Sequence, residues 1–421
     1  MVNKTSSKEN NLQVIADKKQ ILLSKDLAKF LGTLGGGNLR VVKHENKIEI
    51  YSNVHSLSKV YIETTAQCNL ACHTCIRRTW QEPMGTMKRE VFDKLVEQLK
   101  EFDCLQTVMF GGFGEPTFHK DILYMIQQVK SLGIKAEMVT NGTLLDEEML
   151  KGLFENGLDT LWVSFDGTNE ECFEDIREGA KFNEVVKNLE RLSLKNLSSN
   201  HKIKVGITFV VMKSNINQLK DLGALAKRVG ADMISVSNVL PYSAEMVDQM
   251  VCKLKVGSSN RSYGSQGIPL NLPYIDKTEI NQQLLYDLIK NYDKINVFRN
   301  GYEREIGSCR FIKDRCTFVK WDGTISPCMG LLHSYKTYFL DGVERKVASY
   351  SLGDIRKTHL KDIWNSEEYS NFRSKVDAFE FSPCLQCMHC ELSETNEEDC
   401  YGNTFPTCGG CLWAQGVIQC P

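Results

Sequence analysis

The chain has 421 residues, ordinary apolar and charged fractions and a formal net charge of −2, which suits two or three globular domains with a large core. That balance gives no electrostatic case for nucleic acid or an anionic membrane as partner. The polar N-terminus and the lack of any long apolar run predict no signal peptide and no membrane span, so a cytoplasmic location is expected. Sixteen cysteines would mean disulfides in a small exported chain; in a long chain without an export signal they point to metal.

In chain order, residues 1–57 read as a small α+β unit. It has strand-like Leu12–Ile15 and Gln20–Leu23, a helix about Asp26–Leu31, a turn at Gly35-Gly-Gly, and strands at Leu39–Val42 and Ile48–Tyr51. A leader-peptide-binding unit and a plain cap on the next domain are both open. From 58 to 241 apolar runs at Val60–Thr64, Thr107–Phe110, Ala136–Val139, Thr160–Phe165, Val205–Val211 and Met233–Val236 alternate with helical patterns. The helices are Val91–Phe102, Leu123–Leu132, Asp146–Phe154, Val185–Leu194 and Gln218–Val229. Such alternation predicts an α/β fold, a partial (β/α)6 barrel with its chemistry at the C-terminal strand ends. Residues 242–308 read as a bridge, with an exposed loop at Gly257–Gly267 and a helix over Asn281–Tyr292. Residues 309–421 form a Cys-rich module holding ten of the sixteen cysteines. Cys104, Cys172 and Cys252 stand singly and read as ordinary small residues.

Cys68-x3-Cys72-x2-Cys75 follows the first barrel strand. A zinc site would want four closed ligands, commonly in pairs. A lone triplet suits three irons of a [4Fe–4S] cube, leaving one iron open to a chelating co-substrate. The triplet resembles that of the radical S-adenosylmethionine (SAM) enzymes, in which the methionyl amine and carboxylate of SAM take the open iron. The resemblance implies reductive cleavage of SAM to a 5′-deoxyadenosyl radical, fed by a low-potential donor such as ferredoxin or flavodoxin.

Phe110-Gly-Gly-Phe-Gly-Glu-Pro-Thr-Phe-His119 resembles the family's Gly-Gly-Glu-Pro segment, with two residues inserted before the glutamate. Gly112 and Gly114 would let the backbone approach SAM, and Glu115 would meet its amine. Asn141, Ser164 and Asp166 end the third and fourth strands. The resemblance assigns Ser164 and Asp166 to the ribose or carboxylate of SAM; simple closure of the βα loops is equally open, and a turn role is favoured for Asn141. Ser235–Asn238 could wall the adenine. The family's aromatic before the third cysteine is Thr74 here, so adenine packing must come from elsewhere.

Cys309, Cys316 and Cys328 open the C-terminal module, in a Cys309-x13-Gly323-x4-Cys328 pattern that resembles the SPASM extension. Cys384, Cys387, Cys390, Cys400, Cys408, Cys411 and Cys420 follow. The extension implies two auxiliary [4Fe–4S] clusters. Two cubes need at most eight thiolates and ten are present, so at least two are spare or one ligand set is unusual. Zinc ribbons remain the alternative for the paired cysteines, and His333 and His389 read as ordinary polar residues rather than ligands.

Cys75–Met87 and Asn403–Gly416 resemble the radical SAM maturases associated with tungsten-cofactor oxidoreductases. A tungsten enzyme's polypeptide or its pterin cofactor is then the expected substrate; Arg77 and Arg78 could meet an anionic pterin or form a solvated pair. Trp80 and Trp413 could line the substrate cavity or fill the core. Met329 stands where sulfatase-maturing relatives carry an aspartate, which counts against that chemistry. The alternatives are a peptide-crosslinking enzyme and a non-catalytic iron–sulfur electron carrier.

Overall fold

A computed structural model describes residues 13–15, 20–34, 39–43, 45, 48–80, 82–252, 270–271, 280–281, 283–284, 309–338, 342–386 and 390–421. The expected loop Gly257–Gly267, most of the helix Asn281–Tyr292, Cys387 and His389 lie outside them.

The leading unit has a hairpin, β1 (Gln13–Ile15) with β2 (Gln20–Leu22), a helix α1 (Lys25–Leu31), and a second hairpin, β3 (Arg40–Lys43) with β4 (Ile48–Tyr51). Ser24 caps α1 by accepting from the Leu27 N–H at 3.2 Å. The other end docks on the rest of the chain, where Arg315 Nη2 donates to the Phe30 carbonyl at 2.6 Å.

Six parallel strands follow: β5 (Lys59–Ile62), β6 (Thr107–Phe110), β7 (Lys135–Thr140), β8 (Thr160–Ser164), β9 (Lys204–Val211) and β10 (Met233–Asn238), each bonded to the next in chain order. Helices α2 (Arg89–Leu99), α3 (Ile122–Ser131), α4 (Glu147–Glu155), α5 (Glu170–Ile176), α6 (Phe182–Ser198) and α7 (Leu219–Arg228) cover the sheet. The pattern sets this layering. Val108, Met109 and Phe110 are consecutive and fully buried, as a strand covered on both faces requires. Helix α2 buries Phe92, Leu95, Val96 and Leu99 as one stripe. Helix α5 was not among the expected elements, although Asn169, which caps it by accepting from the Cys172 N–H, and the acidic pair Glu170 and Glu171 form a start signal.

Among the described residues the sheet extends to ten strands. β11 (Leu270–Asn271) lies parallel on β10. On the far side β12 (Cys316–Val319) pairs parallel with β5, followed by antiparallel β13 (Thr324–Ser326). A turn through Gly323, whose φ is 93°, joins β12 to β13; a side chain there would be strained, which gives the Gly of the Cys309-x13-Gly-x4-Cys328 pattern its reason. A separate hairpin, β14 (Tyr335–Tyr338) with β15 (Glu344–Val347), comes next, and β16 (Gly353–Asp354) closes the sheet against β13. The sheet thus runs across the expected boundary at 308/309. Buried Gln98 on α2 adds a second tie: its Nε2 donates to the Ile355 carbonyl at 3.3 Å and its Oε1 accepts from the Leu360 N–H at 2.7 Å. Gln98→Leu leaves both groups unpaired, at about 1–3 kcal/mol each, and is expected to lower the apparent melting temperature; an unchanged melt would contradict this role.

Candidate active site

Cys68, Cys72 and Cys75 lie on the loop that leaves β5. The loop is pinned from two sides. The Ala71 and His73 N–H groups donate to the Glu178 and Ile176 carbonyls at the end of α5. From within, Arg77 donates to the Leu70 carbonyl at 3.0 Å, to the Ala66 carbonyl at 3.3 Å and from Nε to Cys75 Sγ at 3.2 Å. Arg77 is therefore a clamp on the loop. Arg78 is half-exposed and lies 3.7 Å from Glu178.

The three thiols border one cavity of about 310 Å³, within the size range of small-ligand sites. Gly112, Gly114, Glu115, Asn141 and Ser164 share its wall, as do Thr74, Ser235, Ser237 and Asn238. Among the described residues no three His, Cys, Asp or Glu side chains converge closely enough to hold a single ion. Thiolates on one zinc stand only about 3.8 Å apart, so thiols ringing a cavity suit a polynuclear group better.

Each wall residue has an identifiable job. Glu115 is buried; its Oε1 accepts from the Thr117 N–H, the Thr117 hydroxyl and the Thr140 hydroxyl at 3.0, 2.6 and 2.7 Å, while Oε2 accepts only from the Asn141 N–H at 2.7 Å. Acceptor capacity remains on Oε2. Burial pushes this carboxyl above its ordinary value, against the pull of those four donors. Asn141 ties two loops, with Nδ2 donating to Asn69 Oδ1 at 2.9 Å and lying 3.7 Å from Cys68 Sγ. Its Oδ1 accepts from Thr143, so it is a turn residue and a brace together.

The two glycines serve close approach of chain to chain. A Cβ on Gly114 would fall 2.0 Å from the Thr65 carbonyl oxygen, and one on Gly112 would fall 2.6 Å from the Glu63 side chain. Asp166 is absent from the cavity wall. It is fully buried, accepting from the Val210 N–H at 2.9 Å and facing the Arg177 guanidinium at 2.9 Å. The expected ribose or carboxylate contact from Asp166 is not seen on the wall: Oδ1 is taken by Val210 and Oδ2 faces Arg177, which places this carboxylate behind the cavity lining. Arg177 takes its place on the wall: it caps the C-terminal end of α5, lines the cavity, and its buried Nε has no hydrogen-bond partner. The Ser164 hydroxyl lines the same cavity, so the wall offers a polar ligand a hydroxyl and the free edge of a guanidinium whose charge is balanced from behind by Asp166.

The C-terminal segment adds a further wall: Trp413, Ile418, Gln419, Cys420 and Pro421 line the same cavity. Tyr61 donates to the Pro421 carbonyl at 3.0 Å, Arg310 to the Cys420 carbonyl at 2.6 Å, and Asn238 to the Val417 carbonyl at 3.1 Å. Trp413 and Cys420 stood out in the sequence, whereas Arg177, Ile418 and Gln419 were missed. The α5 start signal followed by an arginine could have indicated Arg177; nothing local signals the other two.

A second, smaller cavity brings together Cys309, Cys328, Cys408 and Cys411. Cys316 does not share it. That cysteine is on β12, buried near Lys59 and Arg310. Trp413 lies between the two cavities and lines both. Cys384 is buried, Cys390 half-buried and Cys400 exposed. Burial pushes the Cys72 thiol up to about 11 and Cys309 up to about 12, so a bound metal must supply the stabilisation that makes these thiolates.

A parallel β/α sheet whose first loop presents three thiols into a cavity shared with a buried cation and a carboxylate is the scaffold of an enzyme that binds an iron–sulfur cluster beside a small charged co-substrate. Residues 62–226 match the radical SAM superfamily and residues 287–391 the SPASM iron–sulfur cluster-binding domain. Over 374 residues the chain is 34% identical to the tungsten-containing aldehyde ferredoxin oxidoreductase cofactor-modifying protein of Pyrococcus furiosus, covering 86% of this chain and 96% of that relative. It is 24% identical over 382 residues to the Fe-coproporphyrin III synthase of Methanosarcina barkeri, covering 84% and 87%. SuiB of Streptococcus suis bound to S-adenosylmethionine superposes with a TM-score of 0.52 at 17% identity, over 79% of this chain and 71% of that one, a likeness of fold alone. The chain belongs to the radical SAM superfamily and carries a SPASM extension. It is an enzyme of [4Fe–4S] clusters and SAM, which sets aside the non-catalytic carrier. No helix of the described residues is long and apolar enough to cross a membrane.

Gly114→Ala drives the cysteine loop and the Gly-rich loop apart. Overpacking of this kind costs about 1–3 kcal/mol, so the SAM dissociation constant should rise about tenfold in equilibrium dialysis of the anoxic holoenzyme. Affinity equal to that of the wild type would remove the close contact as a determinant of the site.

Proposed function

We propose that this enzyme matures a tungsten-dependent oxidoreductase of the aldehyde:ferredoxin type by modifying its pterin cofactor. The observation that carries the reading is the relative of Pyrococcus furiosus, matched over 96% of its length and named as a cofactor-modifying protein. The peptide-crosslinking alternative has less behind it: the fold likeness to SuiB and matches such as that to a PqqA peptide cyclase, 28% identical over only 44% of this chain.

Cys68, Cys72 and Cys75 would hold the SAM-binding cluster, and Arg177 with Ser164 would take the SAM carboxylate while Glu115 Oε2 accepts from its amine. Bound there, the cluster and SAM supply a carbon-centred radical by one-electron cleavage of a C–S bond. The protein's part is to fix that geometry and exclude water. Arg77 and Asn141 hold the cluster loop; Asp166 holds Arg177 from behind; the segment Val417–Pro421 adds a further wall. Electrons would enter from a low-potential donor of ferredoxin or flavodoxin type.

The smaller cavity also supports an assignment of four C-terminal cysteines, and the remaining six are divided by their order in the chain. Cys309, Cys328, Cys408 and Cys411 would form one complete four-thiolate set. Cys384, Cys387, Cys390 and Cys400 would form the other, which leaves Cys316 and Cys420 as the two beyond the eight that two cubes need. Alanine at any of the first four is expected to remove about four iron atoms per chain, whereas Cys316→Ala and Cys420→Ala keep the full iron content. Equal iron loss in Cys316→Ala would overturn the assignment.

The substrate reading is tested by mass spectrometry of the tungsten oxidoreductase and its extracted cofactor, produced with and without this protein. A cofactor mass that differs between the two preparations is expected. Identical masses for both polypeptide and cofactor would reject the reading.

A further inference from the structure

Behind the Gly-rich wall lies a buried charged chain outside the SAM cavity. Its centre is His333, in the C-terminal module, fully buried between the residues Met329–Leu331 and strand β14. Nε2 of its ring lies 2.9 and 3.1 Å from the two oxygens of Glu63, and Nδ1 lies 2.8 Å from Glu82 Oε2. Glu82 also takes Lys320 Nζ at 2.9 Å and the Ser334 N–H at 2.8 Å. The charges alternate along the chain, two carboxylates with one ammonium and the ring. A neutral imidazole has one N–H and would set its lone pair against a carboxylate. With an acceptor at each nitrogen, the imidazolium is the form this site is built for. The two carboxylates raise its pKa, while burial and Lys320 oppose them.

The chain reaches the SAM site through two contacts. Glu63 follows β5 directly, and its Oε1 accepts from the Phe113 N–H at 3.3 Å; its side chain also occupies the space beside Gly112. Gly112 and Phe113 are cavity wall. The second contact is aromatic. Trp80 stacks on the His333 ring at 4.0 Å and 21°, and Phe113 meets Trp80 edge-on at 5.1 Å. An indole face on an imidazolium is a favourable cation–π contact. Trp80 and Glu82 come from the segment leaving the cysteine loop, so three parts of the protein meet at one charged ring. They are the C-terminal module, the exit of the cluster loop and the wall of the SAM cavity.

We propose that His333 is a positioning residue for SAM: as an imidazolium it locks Glu63 and Trp80 against the Gly112–Phe113 wall, and its deprotonation loosens that wall. The inference rests on SAM occupying the cavity and not on the identity of the substrate, so failure of the tungsten reading leaves it untouched. Among the described residues the charged groups facing His333 are Glu63 at the end of β5, Glu82 on the cluster-loop exit and Lys320 after β12. The lock is complete below the ordinary histidine value of 6.5 and is lost as the pH rises through the raised folded value.

The test is the SAM dissociation constant, measured by equilibrium dialysis of anoxic holoenzyme of matched iron content from about pH 6 to about pH 9.5, a range that brackets a raised histidine. The amine of SAM titrates in this range for every variant, so the quantity read is the ratio of variant to wild type. For His333→Gln the ratio is expected to be about fivefold at the acid end, a typical size for coupling through a network, and to fall toward one as the wild type loses its own lock. For Glu82→Gln, which removes one of the two carboxylates that hold the proton, the break in SAM affinity moves to lower pH. A His333→Gln ratio that is constant across the range, or stays at one, overturns the proposal, as does a Glu82→Gln break that stays where it is in the wild type.

Discussion

Strand β5 has both edges occupied. One side bonds to β6 and the other to β12, in parallel register from Lys59 to Ile62. A parallel strand with two partners can neither slip nor twist away without breaking two ladders. Its C-terminal end is therefore held from both sides, by the barrel through β6 and by the C-terminal module through β12, and Glu63 and the loop carrying Cys68, Cys72 and Cys75 leave from that point. A radical enzyme must hold its reacting atoms within about half an ångström of the productive geometry. Placing the cluster loop on the strand shared by barrel and C-terminal module gives it a base fixed by two backbone ladders, to which the Arg77 and Asn141 side chains add their bonds.

The same placement explains why so much charge is buried nearby. Glu63, Glu115, Asp166, Arg177 and His333 are all buried. A carboxylate out of water is tolerable only when its oxygens are filled. Glu115 has four donors and Asp166 has a backbone N–H and a guanidinium. Hydrophobic residues could fill these positions with no loss of stability, so the charges bring geometric definition instead. Each joins loops from different strands: β6 to β7 at Glu115, β8 to β9 at Asp166, and β5 to the C-terminal module at Glu63. Together they tie neighbouring strand ends into one rigid rim.

The barrel was legible because period and length agree along it. The strands at Thr107, Thr160 and Met233 begin at the expected residues, and the other three begin one position earlier. Local pattern carries that much. Pairings made by distant segments were not legible. β12 bonds to β5 across more than 250 residues, and an apolar run of four residues beginning with a cysteine carries no mark of its partner. The grouping of the cysteines was illegible for the same reason. Sequence order groups Cys309, Cys316 and Cys328, whereas one cavity is lined by Cys309 and Cys328 together with the distant Cys408 and Cys411. Asp166 was legible as a residue of consequence but not in its role, since a buried carboxylate serving an arginine and one serving a ligand look alike in a strand-end motif. Trp80 and Glu82 stood out in sequence as part of a family-like stretch. Their partner His333 is 251 residues from Glu82, so the stretch could be noticed but not interpreted.

The residues from Trp413 to Pro421 show how the C-terminal module takes part in the site. Trp413 forms wall for both cavities, and its Nε1 donates to Cys420 Sγ at 3.4 Å. The segment is fastened by Tyr61 from β5, by Asn238 and Ser237 from β10 and by Arg310 from the module. β5 and β10 are the first and last of the six barrel strands, and the segment bonds to both. It thus spans the side where a six-stranded barrel cannot close on itself, and it does so with main-chain groups whose positions the two strands dictate. A closed eight-stranded barrel fills its interior with its own side chains. Here the opening is left wide enough for a co-substrate, and the wall that completes it comes from the module carrying the four-cysteine cavity. Any movement of that module relative to β5 and β10 would reshape the cavity, which makes the ladder between β5 and β12 as much a determinant of the active site as the residues that line it.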